Sequence, residues 1–237
     1  MNSTELERLI CKCLDDFYRR RLAKLSTLEL KATLKRKNPY LFRARGIATA
    51  SEIVEALLYA HTSSSDETIF GNAFFEPIVK AASGGTVSPS EGVDVAVETE
   101  KVYKAISVKS GPNIFNSSQS KRMNQEFLSL RSRLLKTQKQ FDALLGHCYG
   151  QRSGEGSSER IYRIRSGQAF WEELTGDPNF YIKLIELMKD YPVSHRVLYQ
   201  EEHDRAVNRF TREFLNDFAS DDGEIDWDKL LKFNSGK

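Results

Sequence analysis

The 237-residue chain is 40% hydrophobic and 29% charged, with a formal net charge of +2, which is typical of a globular protein able to bury a full core. No stretch approaches the roughly 18 consecutive apolar residues that a membrane-spanning helix requires. The N-terminal sequence MNSTELERLI carries acids where a secretory signal carries basic residues. The three cysteines lack further ligands at metal-binding spacing and indicate neither a disulfide framework nor a zinc site. A cytoplasmic protein is expected.

The charge is unevenly distributed along the chain. Residues 1–50 hold twelve Lys/Arg against five Asp/Glu, a balance of +7, and residues 101–140 hold nine against one, a balance of +8. The remaining residues therefore carry a balance of −13. A surface that contacts phosphates needs clustered Lys and Arg, although basic helix faces exposed to water give the same pattern.

The first 65 residues are predicted to be helical. Apolar residues at three- and four-residue spacing predict a helix over about 4–24. A second helix is expected from near Ser26 to Arg36, where Asn38-Pro39 stops it. The sequence Thr49-x-x-Glu52 is a capping box that opens a third helix through about residue 60.

The middle of the chain changes from a helical period to strand patterning. A helix that starts at Asp66 is predicted to end at Gly84-Gly85. Alternating valines then predict one strand over 93–98 and a second over 102–109, with a turn at Glu100-Lys101 between them. A long basic helix over about 119–139 follows the next loop.

The rest of the chain contributes two more strands and a helical end. A buried strand is expected over 141–150, a Gly/Ser-rich loop over 150–158 and an edge strand over 160–165. Further helices are expected at about 167–175, 178–190, 194–218 and 225–233. This order predicts an α/β (α+β) fold with a small mixed β-sheet flanked by helices. We expect one domain over 1–237, in which residues 1–65 form a helical N-terminal region, residues 66–165 the core and residues 166–237 a helical C-terminal region.

The predicted hairpin brings a carboxylate and a lysine to the same place. A turn at Glu100-Lys101 sets Asp94 opposite Ser107, and opposed residues share a face of the sheet. The first face would hold Asp94, Ala96, Ala105, Ser107 and Lys109. The opposite face would hold Val93, Val95, Val97, Ile106 and Val108, and these residues are expected in the core.

This set of groups suits phosphodiester hydrolysis. A carboxylate such as Asp94 binds Mg²⁺ through hard oxygen atoms, and the metal activates an attacking water. Lys109 can position or deprotonate that water and offset charge on the phosphate. The backbone carbonyl of Val108 is a further candidate metal ligand. An exposed Asp–Lys pair without a catalytic role has the same spacing.

Several segments resemble a PmeII-like group of type II restriction endonucleases. Val108-Lys109-Ser110-Gly111-Pro112-Asn113, continuing to Asn116-Ser117-Ser118-Gln119, is similar to the lysine strand and following loop of that group. The other similar segments are NPYLFRA (38–44), DETIFGN (66–72), GHCYG (146–150), SGQAFWEELTGD (166–177) and the terminal IDWDKLLKFNSGK.

The resemblance implies a fold, a cofactor and partners. It implies the restriction-endonuclease-like PD-(D/E)XK core, Mg²⁺-dependent cleavage of double-stranded DNA and a homodimer, and Mn²⁺ is expected to substitute for Mg²⁺. Asp94 then matches the metal-binding aspartate of the motif, and Lys109 matches its lysine.

Ser107 departs from the wider motif. The superfamily usually has Glu, Asp or Gln two residues before the lysine, whereas a serine hydroxyl brings no charge. A second carboxylate is then expected from the helix before the hairpin, where Glu76 and Glu67 are the candidates. Glu76 is preferred because it is nearer the hairpin, although Pro77 disfavours a helical conformation at Glu76.

DNA contact is expected from the loop after Lys109 and from the helix that it opens. A helix N-terminus presents free N–H groups to a phosphate, and basic side chains along the helix add positive charge. Ordinary capping and a solvated basic face are the alternative interpretation. The candidates are Ser110, Asn113, Asn116, Ser117, Ser118, Gln119, Lys121 and Arg122.

Two rival functions stay open at this point. A structure-selective repair or recombination nuclease would use Asp94 and Lys109 in the same roles but would prefer junctions or flaps. A non-catalytic DNA-binding protein would bind DNA without divalent metal and would not cleave it. The second alternative leaves the Asp94–Lys109 pair without an evident purpose.

Overall fold

A computed structural model describes residues 2–88, 90–112 and 117–236. The helices are α1 (Ser3–Ser26), α2 (Leu30–Leu34), α3 (Pro39–Ala44), α4 (Ala50–Phe70), α5 (Glu76–Ser83), α6 (Ser117–Leu134), α7 (Gln168–Thr175), α8 (Phe180–Met188), α9 (Tyr191–Phe218) and α10 (Trp227–Ser235). The strands are β1 (Thr86–Val87), β2 (Val95–Glu98), β3 (Val102–Lys109), β4 (Gln140–His147) and β5 (Arg163–Ser166). A π-helical turn, Gly71–Phe75, joins α4 to α5.

The five strands form one mixed sheet in the order β1-β2-β3-β4-β5. Strands β1, β2 and β3 are successively antiparallel, whereas β3, β4 and β5 are parallel. The mixed sheet flanked by helices confirms the predicted fold class. Because β3, β4 and β5 are parallel, their carboxyl ends lie at the same edge of the sheet.

Contacts divide the chain into two compact units. One unit comprises residues 1–17 and 70–191, contains the whole sheet and is here called the sheet unit. The other comprises residues 18–69 and 192–237 and is here called the helical unit.

The sheet unit has a hydrophobic cluster on each face of the sheet. On one face, Val95, Ile106 and Val108 pack with the start of α1 and with α5, α7 and α8. On the other face, Ala96 and Ala105 pack against Met123, Phe127 and Leu130 of α6. Both faces of the hairpin are therefore buried. The face that holds Ala96 and Ala105, predicted to lie opposite the core residues, is itself buried because α6 covers it.

The helical unit is built around its own hydrophobic cluster. Residues from α2 to α4 pack there with α9 and α10, and Phe210, Phe214 and Leu230 are fully buried. The predicted capping box is confirmed, since Glu52 accepts hydrogen bonds from the backbone N–H groups of Ala48 and Thr49 at 3.0 and 2.9 Å.

Several predicted element boundaries need correction. The predicted break between residues 60 and 66 is absent, because α4 continues through these polar residues to Phe70. Asn38 does not only stop a helix: its side chain caps α3 by accepting from the N–H of Leu41 at 3.3 Å. Gly84 ends α5 in the left-handed conformation, as predicted. Among the described residues, no helix is long and apolar enough to cross a membrane.

Candidate active site

The β2–β3 hairpin has the register that the sequence predicts. Val95 pairs with Ile106 and Ala96 with Ala105, so the turn lies at Glu100-Lys101. The backbone leaves this register at Asp94, whose N–H donates to Ile106 O at 2.9 Å although Ile106 is already paired with Val95. Val93 consequently packs with the cluster under α6 and not with Val95, which corrects its predicted face.

This departure places the Asp94 carboxylate at the end of β3. The Val108 N–H donates to Asp94 Oδ2 at 2.6 Å, in the position where a neighbouring strand would otherwise accept. Lys109 Nζ lies 3.6 Å from the same oxygen, and the side chains of Lys109 and Asp94 are 29% and 27% exposed. Asp94 and Lys109 are thus brought together at a site that solvent reaches.

Ser107 lies beside this pair but is enclosed. The residue is only 2% exposed, and its hydroxyl is 3.5 Å from Asp94 Oδ2, at the outer limit of a hydrogen bond. A hydroxyl in this position can donate to the carboxylate but adds no negative charge.

Glu76 begins α5 in a helical conformation despite the proline after it, with φ −59° and ψ −46°. The preceding π-helical turn accommodates Pro77, which has no N–H for a regular helical hydrogen bond. The Glu76 N–H instead donates to Gly71 O, five residues back. Glu67, the other candidate, is an exposed residue of α4 in the helical unit.

The electrostatics of Cys148 relate Glu76 to the hairpin. Burial raises the pKa of the Cys148 thiol, the carboxylates of Glu76 and Asp94 raise it further, and Lys109 lowers it. Cys148 directly follows β4. Because a Coulomb interaction weakens with distance, Glu76, Asp94 and Lys109 must all lie near enough to the Cys148 thiol to change its pKa.

Segments that are far apart in sequence meet at this edge of the sheet. Cys148 N–H donates to Lys109 O at 2.9 Å, and Tyr149 N–H donates to Ser110 O at 3.1 Å. The indole N–H of Trp171 donates to Cys148 O at 2.9 Å. A Cβ added at Gly71 would lie 2.7 Å from the Ser110 hydroxyl, so the close approach favours glycine there. Residues from the segments DETIFGN, VKSGPN, GHCYG and SGQAFW therefore surround the end of β3.

The predicted DNA contacts fall on this loop and on the start of α6. Ser110 follows Lys109 directly, and Ser117, Ser118, Gln119 and Lys121 lie exposed in the first turns of α6. Asn113 and Asn116 lie outside the described residues.

Arg122, the remaining predicted DNA contact, already has acidic partners. Its guanidinium pairs with Glu126 at 2.9 Å and with Glu91. A hydrogen bond from Arg122 to Glu126 and the charges of both glutamates raise the pKa of Arg122. A phosphate would compete with both carboxylates for this side chain.

His147 is a functional candidate that sequence reasoning misses. It ends β4 directly beside Lys109 and is fully buried. Burial, followed by the charges of Arg152 and Lys109, lowers its pKa from 6.5 to about 4, so the imidazole is neutral at physiological pH. The only signal in the sequence is the position of His147 in the GHCYG segment, at the end of a predicted strand.

Comparison with known proteins identifies the family. A family model described as type II restriction endonuclease EcoO109I matches residues 4–193, a range that contains every strand and the whole candidate site. The comparison with curated proteins gives no match. Since the match covers most of the chain, the protein belongs to the family of type II restriction endonuclease EcoO109I and is a DNA-cleaving hydrolase of this site-specific class.

Proposed function

We propose that the chain makes Mg²⁺-dependent double-strand cuts in DNA with a PD-(D/E)XK site at the carboxyl end of β3, as in the PmeII-like group. The observation that carries this proposal is the convergence of the Asp94 carboxylate and the Lys109 ammonium, 3.6 Å apart on neighbouring backbone segments. The family match supports the DNA substrate and the hydrolytic reaction.

The available donor atoms suit Mg²⁺. Asp94 and Glu76 offer carboxylate oxygens and Val108 offers a carbonyl oxygen, which are the hard ligands that Mg²⁺ prefers. In the described ranges, no group of three or more His, Cys, Asp or Glu side chains is placed to hold a metal ion. Mg²⁺ sites that act on phosphates commonly use only one or two carboxylates and leave the remaining positions to water and substrate. A bound Mg²⁺ would polarise the scissile phosphate and lower the pKa of the attacking water.

The protein groups divide the remaining work. The Val108 N–H fixes the orientation of the Asp94 carboxylate through a 2.6 Å hydrogen bond. The Lys109 side chain would direct its N–H donors to the scissile phosphate, where negative charge develops in the transition state. Ser107 contributes a neutral hydroxyl, so Glu76 is proposed as the second carboxylate.

DNA would enter along the loop after Lys109. The proposed contacts are Ser110 and the exposed first turns of α6, where Ser117, Ser118 and Gln119 present side-chain donors near a helix N-terminus and Lys121 adds charge. Arg122 is proposed to leave its ion pairs with Glu91 and Glu126 and to bind a DNA phosphate instead. Cutting both strands of a palindromic site needs two active sites related by a two-fold axis, so we also propose a homodimer on DNA.

Digestion of a large defined DNA tests the proposed function. Discrete bands are expected with Mg²⁺ or Mn²⁺, and none in chelator. Ca²⁺ is expected to support DNA binding without cleavage, because its looser coordination aligns the reacting groups less well. Lys109→Ala should abolish the bands, whereas Lys101→Ala, a matched lysine in the exposed turn of the same hairpin, should cut normally.

Three outcomes would overturn parts of the proposal. Cleavage in excess chelator would exclude the metal mechanism. Preference for flaps or junctions over intact duplex would indicate a structure-selective nuclease. Sedimentation of the DNA complex with one chain per duplex would exclude the dimer.

A further inference from the structure

Three polar side chains form a row across the parallel strands at the edge that holds the candidate site. Lys109 at the end of β3 pairs in register with His147 at the end of β4, and His147 pairs with Ser166 at the end of β5. Residues in register on adjacent strands share a face of the sheet. The row therefore connects the partly exposed side chain of Lys109 to two side chains that lie inside the protein.

His147 is held from one side only. The residue is fully buried, and its Nδ1 lies 2.9 Å from the hydroxyl of Ser166, which is 5% exposed. The other ring nitrogen, Nε2, is also buried and has no hydrogen-bond partner among the residues that the structure describes. A buried polar atom without a partner costs free energy, so its presence calls for a functional or structural explanation.

The neighbours of His147 determine which partner Nε2 can take. The two charged groups that influence the imidazole are Arg152 and Lys109, and both can only donate hydrogen bonds. A neutral imidazole that accepts at Nε2 carries its proton on Nδ1, from which it donates to Ser166. Arg152 is exposed and donates to Pro112 O at 3.3 Å, whereas Lys109 lies directly beside His147 in the sheet.

We propose that His147 is a positioning residue, which is itself fixed by Ser166 and accepts a hydrogen bond from the Lys109 ammonium when that side chain turns toward Nε2. In the structure Nε2 has no partner among the described residues, so the bond requires a change in the Lys109 side chain. The ammonium has three N–H donors. One would then be directed to Asp94 and one to His147, which leaves the third for the DNA phosphate or the attacking water. Because the imidazole is neutral, this second anchor restrains Lys109 without adding charge to the site.

Two substitutions of similar size separate this role from simple packing. His147→Gln keeps an amide near the place of Nε2, whereas His147→Asn keeps one near Nδ1 and leaves the Nε2 position empty. If His147 positions Lys109, the single-turnover cleavage rate should fall about 10- to 100-fold in His147→Asn, as for a lost hydrogen bond to a charged group. It should stay near the wild-type rate in His147→Gln, and both variants should bind DNA with unchanged affinity. Equal rates in the two variants, or a loss that follows only their melting temperatures, would overturn the proposal.

A spectroscopic measurement tests the contact without using activity. The chain has four histidines, so the ¹⁵N signals of His147 can be assigned by their loss in His147→Gln. The wild-type protein should show the neutral tautomer with its proton on Nδ1, and Lys109→Ala should shift the Nε2 signal. An Nε2 signal that does not respond to Lys109→Ala would refute the contact. This inference rests on the proposed function only for the role of Lys109. The ¹⁵N measurement does not require cleavage, so it tests the contact between Lys109 and His147 even if the protein fails to cut DNA.

Discussion

Substitution of Asp94 by alanine and by asparagine should separate the two roles of its carboxylate. The sequence alone places Asp94 on the face of the hairpin opposite the predicted core residues. In the structure, Asp94 Oδ2 accepts the backbone N–H of Val108 at 2.6 Å, and Val108 is only 3% exposed. Asp94→Ala removes both the charge and this acceptor, whereas Asp94→Asn removes the charge but keeps a carbonyl oxygen.

The geometry sets the size of each effect. Leaving the buried Val108 N–H without a partner should destabilise Asp94→Ala by about 1–3 kcal/mol. For a chain of this size, each kcal/mol lowers the melting temperature by about 2–4 °C, so a fall of roughly 2–12 °C is expected. Asp94→Asn should melt close to wild type. Both variants should lose at least about 10²-fold in cleavage rate, because the charge is gone in each.

Thermal melting and single-turnover cleavage would be measured on both variants. Glu98→Ala is the matched control, since it removes an exposed carboxylate from the same hairpin and should change neither measurement greatly. Equal melting temperatures for Asp94→Ala and Asp94→Asn would refute the stabilising role of the Val108 hydrogen bond. Cleavage by Asp94→Asn at the wild-type rate would refute the assignment of Asp94 to the active site.

Three further predictions concern residues around the same edge. Ser107→Ala loses one weak hydrogen bond, about 0.5–1.5 kcal/mol, so its cleavage rate should stay within about tenfold of wild type across a Mg²⁺ titration. Glu76→Ala should be as inactive as Asp94→Ala. An inactive Ser107→Ala beside an active Glu76→Ala would reverse the roles proposed for Ser107 and Glu76. Gly146→Ala would set a Cβ against the buried ring of Phe170 and should lower the free energy of unfolding by about 1–3 kcal/mol. Adding Phe170→Leu should recover some of that loss in thermal melts, and no recovery would contradict the steric cause. Burial, aided by nearby cations, lowers the pKa of His147 from 6.5 to about 4, so the unfolded chain takes up this proton first as the pH falls. The contribution of His147 to the free energy of unfolding should therefore be constant above about pH 6.5 and fall by on the order of 3 kcal/mol down to pH 4. Denaturant titrations of His147→Gln should show a flatter dependence of the free energy of unfolding on pH. An unchanged dependence would contradict the assignment to His147.

The hairpin could be predicted from sequence because its information is local. Alternating valines define the strands, and the polar turn at Glu100-Lys101 fixes which residues pair. That register was sufficient to place Ser107 and Lys109 at the same end of the sheet as Asp94. The regular register does not predict the hydrogen bond from the Asp94 N–H to Ile106 O. This irregular bond sets the direction of the Asp94 side chain, so that its carboxylate accepts the Val108 N–H.

Contacts between distant segments were beyond the sequence. Strands β3 and β4 pair in parallel although the whole of α6 separates them along the chain, and no local pattern fixes the register of that pairing. The sequence therefore cannot place His147 beside Lys109, although the sheet pairs the two residues. Each compact unit combines two segments that are far apart in the chain, and that arrangement depends on tertiary packing, which periodicity does not encode.

The presence of Ser107 where the proposed PD-(D/E)XK motif usually has an acidic side chain would change how the metal site depends on the fold. A carboxylate on β3 would be held by the strand itself, two residues from Lys109. Position 107 is nearly inaccessible to solvent, so an acid there would be buried close to the charge of Asp94, which is unfavourable without a bound cation. A second carboxylate supplied by Glu76 would instead reach the metal from α5, so its position would depend on how α5 packs on the sheet. Ile78 and Val79, both fully buried against the sheet, hold α5 in place. The proposed metal site is therefore coupled to the hydrophobic core through α5, whereas a site with both acids on β3 would not be.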